Sequence, residues 1–258
     1  MSAPVAVVTG ATSGIGLAVA RTLGTQGHRV FLGARTADDV AATVKALQEE
    51  GLDADGTTVD VGDATQVLAF AQAANDRWGR IDVLVNNAGR SGGGITKDLS
   101  DEVWDDVVNV NLNSVFRMSR AVLRVGGMLE RGRGRIINIA STAGKQGVVW
   151  AAPYSASKHG VVGFTKSLGN ELGPTGVTVN AVCPGYVETP MAQKIRRNHA
   201  TAFDTTEDKI HAKFTAKIPL GRYGTPEEVA GLVGYLASDA AASITAQALN
   251  VCGGLGNF

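Results

Sequence analysis

Seven short runs rich in Val, Ile and Leu recur along the chain: "VAVVTG", "HRVFLGAR", "DGTTVDV", "IDVLVNNAG", "RIINIAS", "VTVNAVCPG" and "ALNVCGG". Each reads as a strand, and the segments between them carry helix signals, as in Ser13 to Leu23, Thr36 to Glu50 and Asp63 to Trp78. The clearest start is "TPEEVAGLVGYLA", where Thr225 is an N-cap, Pro226 takes the first helical position and Glu228 completes a capping box. Strand–helix alternation implies βαβ crossovers, hence an α/β, Rossmann-like, doubly wound seven-stranded parallel sheet with helices on both faces. Ligands of such sheets sit outside the carboxyl ends of the strands. One stretch, Glu188 to Gly224, breaks the rhythm as a long polar excursion and predicts an insertion at 188–224 that acts as a mobile substrate lid.

Composition adds limits. A chain of 258 residues, 44% hydrophobic and 19% charged, with no low-complexity linker, reads as one domain over 1–258. The formal net charge of zero offers no overall field for nucleic acid or an anionic membrane, so any phosphate must be bound locally. The apolar N-terminal run is too short for a signal core, and no segment reaches the ~18–20 apolar residues of a membrane span. A soluble, cytoplasmic protein is expected. Cys183 and Cys252 are too few for a disulfide framework and too far apart for a zinc spacing, so unpaired thiols and no metal site are expected.

The first strand runs straight into "TGATSGIG", which places Gly10, Gly14 and Gly16 between a buried strand and a helix. Glycines there allow a tight turn and close approach of backbone N–H groups to a pyrophosphate, with the helix dipole favouring negative charge. A plain glycine turn is the competing reading. The cofactor cradle predicted here comprises Gly10, Thr12, Ser13, Gly14, Ile15 and Gly16. The second strand ends not in the acid that binds a ribose 2′-hydroxyl but in Arg35, which favours a 2′-phosphate and so NADP(H). Asp38 and Asp39 fall where the next helix would start, a position that stabilises acids. Asp60 and Val61, with Asn87, Ala88 and Gly89, lie at strand ends on the same side and are candidates for adenine and ribose contacts; Asn86 reads as a turn residue.

"YSASK" supplies the chemistry. Tyr154 and Lys158 are one helical turn apart, about 5–6 Å between Cβ atoms, so an ammonium beside the phenol would draw its pKa toward working pH. Alone, such a pair is more often a half-buried aromatic beside a solvated charge. Ser141, however, closes the fifth strand, and its hydroxyl can converge with that of Tyr154 on one carbonyl oxygen facing a nicotinamide. Asn111 falls inside a helical pattern where Asn is a poor former, and is a candidate anchor for a water that feeds protons to Lys158.

"TGATSGIG", "NNAG", Asn111, Ser141 and the Tyr154/Lys158 pair, in this order and spacing over nearly the whole chain, resemble the short-chain dehydrogenase/reductase superfamily. The resemblance implies that Tyr154 is the general acid, that Lys158 lowers its pKa and holds the nicotinamide ribose, that Ser141 polarises the carbonyl, and that Asn111 keeps a proton relay. Less common stretches, "NNAGRSGGG", "STAGKQGVVWAAPYSASKHGVVGFTKSLG", "NAVCPGYVETPMA" and "TAQALNVCGGLGNF", are similar to the ketoreductases of bacterial aromatic (type II) polyketide synthases. That likeness implies reduction with NADPH of one ketone, usually C9, of a poly-β-ketone borne by an acyl carrier protein, by a homotetramer. It also implies cofactor contacts from Pro184, Gly185, Val187 and Thr189.

Ser91, Gly92 and Gly93 form the tripeptide linked in these relatives to the hand of the alcohol, but Ser91 stands where they usually have proline, and Trp150 stands where a known member has histidine. Thr142, Gln146, Val148, Trp150, Tyr186 and Met191 flank the predicted pocket, and each serves equally as a packing residue. Lys194, Arg196 and Arg197 form a basic run on the lid that could attract the carrier protein or simply be a solvated helix face. The alternatives are a 3-oxoacyl-[acyl-carrier-protein] reductase of fatty-acid synthesis and a non-catalytic dinucleotide sensor.

Overall fold

The computed structural model describes residues 3–256. Seven strands, β1 (Val5–Thr9), β2 (Arg29–Ala34), β3 (Ala54–Thr58), β4 (Val83–Asn86), β5 (Gly134–Ile139), β6 (Val177–Pro184) and β7 (Ala248–Val251), form a sheet in the order β3-β2-β1-β4-β5-β6-β7. Every pairing is parallel. All seven apolar runs of the sequence are strands of this sheet, and the α/β doubly wound class is as expected.

Nine α-helices are described: α1 (Gly14–Thr25), α2 (Ala37–Glu49), α3 (Ala64–Trp78), α4 (Asp101–Val108), α5 (Ser114–Val125), α6 (Ala152–Leu172), α7 (Pro190–Ala202), α8 (Glu207–Thr215) and α9 (Pro226–Ala237). Alternation along β1 shows how both faces are filled. Ala6 and Val8 pack with Leu23 of α1, Leu47 of α2 and Val233 of α9, whereas Val7 packs with Phe70 of α3, Met118 of α5 and Leu168 of α6. Side chains of successive strand residues point to opposite faces, so a run apolar at every position must be covered twice.

The capping box of α9 forms as its sequence implies. Glu228 N donates to Thr225 Oγ1 at 3.3 Å, and Thr225 N donates to Glu228 Oε2 at 2.8 Å. Asn86, expected in a turn, is instead a buried strand residue. Its Nδ2 donates to Asn138 Oδ1 of the neighbouring strand at 2.8 Å and to Ser119 Oγ at 3.1 Å, and Asn138 Nδ2 donates to Thr165 Oγ1 at 2.9 Å. These amides satisfy one another in the middle of the molecule, linking α5, β4, β5 and α6.

Residues 188–224 hold α7 and α8, which share a small core of Ala200, Ile210, Phe214, Ile218 and Tyr223. The polar excursion therefore carries apolar positions at helical spacing, diluted by charged outer faces. Between α4 and α5, Asn109–Asn113 adopt a π-helical turn, an insertion that helices carry mostly at functional sites.

Candidate active site

The carboxyl ends of β1, β4, β5 and β6 bring the predicted residues together. β5 ends at Ile139, and Ser141 follows in an extended conformation, its Oγ accepting from Ala143 N at 3.0 Å to cap a 3₁₀ turn. Opposite, the first two turns of α6 carry Tyr154 and Lys158. The Ser141 side chain lies close enough to the Tyr154 hydroxyl to favour its ionised form, so the two hydroxyls do converge. Lys158 is 5% exposed; its Nζ donates to Ile139 O at 2.7 Å and lies 5.8 Å from the centroid of the Tyr154 ring.

The electrostatics differ from expectation in one respect. Burial pushes the Tyr154 phenol up, and what opposes the rise is the neighbouring Ser141 side chain. The ammonium expected to draw the phenol down is itself desolvated. Burial pulls Lys158 down to about 8, and its nearest hydrogen-bond acceptor is a neutral backbone carbonyl.

Asn111 lies within the π-helical turn, fully buried. Its Oδ1 accepts from Arg90 N at 2.8 Å, while its Nδ2 donates to Arg90 O at 2.9 Å and to Ser157 Oγ at 3.2 Å. The side-chain amide thus imitates a strand partner for the residue after "NNAG" and reaches α6 one residue before Lys158. A β-carbon on Gly89 would come 3.1 Å from Asn111 Oδ1 and 3.7 Å from Lys158 Nζ, which places these groups around one point.

At the end of β1, Gly10 and Gly14 have φ of +63° and +52°, left-handed values that glycine adopts freely. A β-carbon on Gly16 would lie 2.2 Å from Gly10 O and 2.4 Å from Asn87 Nδ2. Asn87 Nδ2 donates to Thr9 O at 2.9 Å and Gly10 O at 3.0 Å, and Asn87 N and Ala88 N both donate to Thr9 Oγ1 at 3.1 Å. Asn87 therefore staples the glycine turn. Ser13 at the N-cap of α1 makes no side-chain cap, unlike Asp63, Ser100, Thr189, Thr206 and Thr225 on other helices. Free N–H donors above a bare glycine cradle fit a pyrophosphate.

Arg35 follows β2 directly, exposed and with no ion-pair partner among the described residues, where a 2′-phosphate could meet it. Asp38 and Asp39 occupy the first turn of α2. Asp60 Oδ1 accepts from Gly62 N at 2.9 Å, and Val61 is buried. Thr189 caps α7 and lies against Gly14, Pro184 ends β6, Gly185 N donates to Val251 O at 3.0 Å, and Val187 bridges to Gly224. Thr12 and Ile15 are half-buried in the glycine turn.

The pocket candidates separate. Val148, Trp150 and Met191 are exposed, Gln146 is half-buried, and Ser91, Gly92 and Gly93 form a loop packed on Val107 and the Trp150 backbone. Thr142 is buried and has little surface to offer. Both ring faces of Tyr186 are covered, by Phe214 at 5.0 Å and Tyr223 at 5.3 Å, so it packs against the small core of α7 and α8. In the basic run, Arg196 is taken. It forms a bidentate pair with Glu188 at 2.7 and 2.8 Å over the Tyr223 ring, while Lys194 and Arg197 are exposed. Cys183 and Cys252 are both free thiols, and among the described residues no cluster of acids, histidines and cysteines could hold a metal.

Sequence reasoning missed Thr9, Arg90 and Ser157. Each adjoins a motif it serves, directly before Gly10, directly after "NNAG" and inside "YSASK", and that adjacency was the available signal.

The chain matches the family model described as short chain dehydrogenase over residues 4–200. It is 76% identical over 254 residues to a ketoacyl reductase of the monensin polyketide synthase of Streptomyces virginiae, covering 98% of this chain and 97% of that one. It is 40% identical to a 3-oxoacyl-[acyl-carrier-protein] reductase of Vibrio harveyi over 97% of this chain and 96% of the other. Among solved structures, a single-site variant of actinorhodin polyketide ketoreductase with NADPH superposes with a TM-score of 0.97 at 58% identity, covering 99% of this chain and 98% of that one.

Gly16→Ala is expected to weaken NADPH binding by at least about tenfold, because the new methyl meets Gly10 O and Asn87 Nδ2 well inside contact distance. Fluorescence titration with NADPH reads the change, and thermal unfolding of the same sample checks that the turn still folds. Unchanged affinity in a folded variant would show that the cradle does not hold the cofactor.

Proposed function

The chain belongs to the short-chain dehydrogenase family and is an oxidoreductase, and from that premise we propose that it is an NADPH-dependent ketoreductase of aromatic polyketide biosynthesis. Its proposed substrate is a poly-β-ketone on an acyl carrier protein, reduced at one ketone, C9. The observation that carries the reading is the convergence of the Ser141 and Tyr154 side chains beside buried Lys158. Support for the substrate class comes from the polyketide synthase reductases to which the chain is similar.

NADPH, when bound, supplies the hydride. The rest falls to this chain's residues. Ser141 and Tyr154 point two donors at one carbonyl oxygen, which orients the ketone and stabilises the charge that develops there. Tyr154 gives up its proton to that oxygen, while Ser141 keeps its own donor on it. The Lys158 cation stands close enough to favour that phenolate and to hold ribose hydroxyls, while Asn111 fixes the backbone of Arg90 and the turn of α6 that carries the lysine. Arg35 pairs with the 2′-phosphate.

The helical pair α7 and α8 serves as a lid, and its exposed Lys194 and Arg197, with Arg196 excluded by Glu188, are the side chains left to attract a carrier protein. A homotetramer in the cytoplasm is proposed on family resemblance; no helix among the described residues is long and apolar enough to cross a membrane. The second reading, a fatty-acid reductase, is favoured by the Vibrio harveyi likeness and differs in substrate shape.

Tyr154→Phe is expected to lower kcat on the order of a thousandfold while leaving NADPH affinity nearly unchanged; substantial residual turnover would remove the tyrosine from the role of acid. With wild-type enzyme, NADPH oxidation is expected to be faster with trans-1-decalone than with a linear acetoacetyl thioester, and slower when NADH replaces NADPH. Preference for the thioester would move the protein to fatty-acid metabolism, and equal rates with both cofactors would show that Arg35 does not read the 2′-phosphate.

A further inference from the structure

Two aromatic rings join the loop before α6 to the far end of α7. Trp150 closes the loop that leads into α6, four residues before Tyr154, and Phe203 is the C-cap of α7. Their rings are stacked, with centroids 5.2 Å apart and planes 25° from parallel. Helix α7 has 13 residues, so it reaches ~20 Å. Its first end lies on the nucleotide cradle through Thr189 and Gly14, and its last end lies on the tyrosine loop through Phe203 and Trp150. The helix roofs the ground between cofactor and acid, and the stack fastens its far end.

This contact is not core packing. Trp150 is 47% exposed and Phe203 42%. Trp150 has φ of +61°, a left-handed conformation that bulky L residues rarely adopt. It is held there by Gly94 N, which donates to Trp150 O at 2.8 Å, and by a loop so close that a β-carbon on Gly93 would come 2.0 Å from the same oxygen. Strain maintained by its surroundings beside a reaction centre is a mark of functional placement. On the other side, Lys213 Nζ stands 5.4 Å from the Phe203 centroid and the His199 ring 6.1 Å away.

We infer that Trp150 and Phe203 form an exchangeable aromatic clasp: a planar conjugated ring, such as the enolised ring of a cyclised poly-β-ketone or an arene fused to the ketone ring, displaces Phe203 from the face of Trp150 and takes over the stack. The inference rests on the ketoreductase reading above and adds a selection rule to it. A planar ring replaces like with like, so opening the clasp costs it little. A linear acyl chain has no π face to offer and gains nothing from Trp150.

Two bicyclic ketones separate ring stacking from size, because 2-tetralone and 2-decalone share skeleton and ketone position and only the first has an aromatic ring. Phe203→Ala removes the competitor and is expected to raise kcat/KM for 2-tetralone about threefold to tenfold through KM, with 2-decalone and the acetoacetyl thioester unchanged. Trp150→Leu is expected to abolish the advantage of 2-tetralone over 2-decalone. A loss in Phe203→Ala common to all three substrates, or no gain for 2-tetralone, would overturn the clasp. Calorimetric binding of 2-naphthol to the NADP⁺ complex gives a readout free of turnover. If the wild-type enzyme reduces the linear thioester alone, the polyketide reading fails and this titration still decides: tighter binding in Phe203→Ala supports the clasp, and equal or weaker binding refutes it.

Discussion

A cation buried against a backbone carbonyl is the constraint from which the site is built. Lys158 Nζ reaches Ile139 O at 2.7 Å with 5% of the residue exposed. Taking an ammonium out of water is costly unless its donors are satisfied, so the second turn of α6 must sit at the end of β5 and nowhere else. That docking sets Tyr154, one turn earlier, against Ser141, just past the same strand. The Lys158 pKa, pulled down to about 8 by burial, marks the part of the cost that the carbonyl leaves unmet. Because the folded value lies below the unfolded one, the penalty of holding this proton is complete below about 8 and fades as pH rises toward 10.5.

The remaining parts keep that geometry from drifting. Asn111, placed by a π-helical turn, binds Arg90 as a strand neighbour would and touches Ser157 on α6. Beneath it, Asn86, Asn138 and Thr165 form a buried polar chain from β4 through β5 to the same helix. Helix α6 is thus fixed to the sheet at its catalytic end and again seven residues further along. At the cofactor end the logic is inverted. Glycines and an uncapped helix leave backbone donors without side-chain partners, a setting suited to a bound anion.

Much of this was legible in the sequence because it rests on local pattern. The seven strands announce themselves as apolar runs, the capping box of α9 lies within four residues, and the spacing of Tyr154 and Lys158 fixes one helix face. What was not legible depends on partners distant in the chain or on backbone atoms. The carbonyl of Ile139 has no sequence signal, so the spacing pointed to the lysine's action on the phenol and not to its hold on the strand. Arg196 looked free until Glu188 was found beside it, and Tyr186 looked like pocket lining until Phe214 and Tyr223 closed over both its faces. Asn86 failed for a related reason: an Asn at a strand end suits a turn, and only its register with Asn138 reveals the buried pair.

The account stands or falls on the state of Lys158, and a ¹³C NMR pH titration of the lysine side chains in the cofactor-free enzyme, with Lys158→Met for assignment, measures it directly. One lysine should titrate near 8, well apart from the others, and its signal should vanish in the variant. If every lysine titrates together near ~10.4, the ammonium is solvated, and the docking of α6 on β5 does not hold the catalytic pair in the manner described.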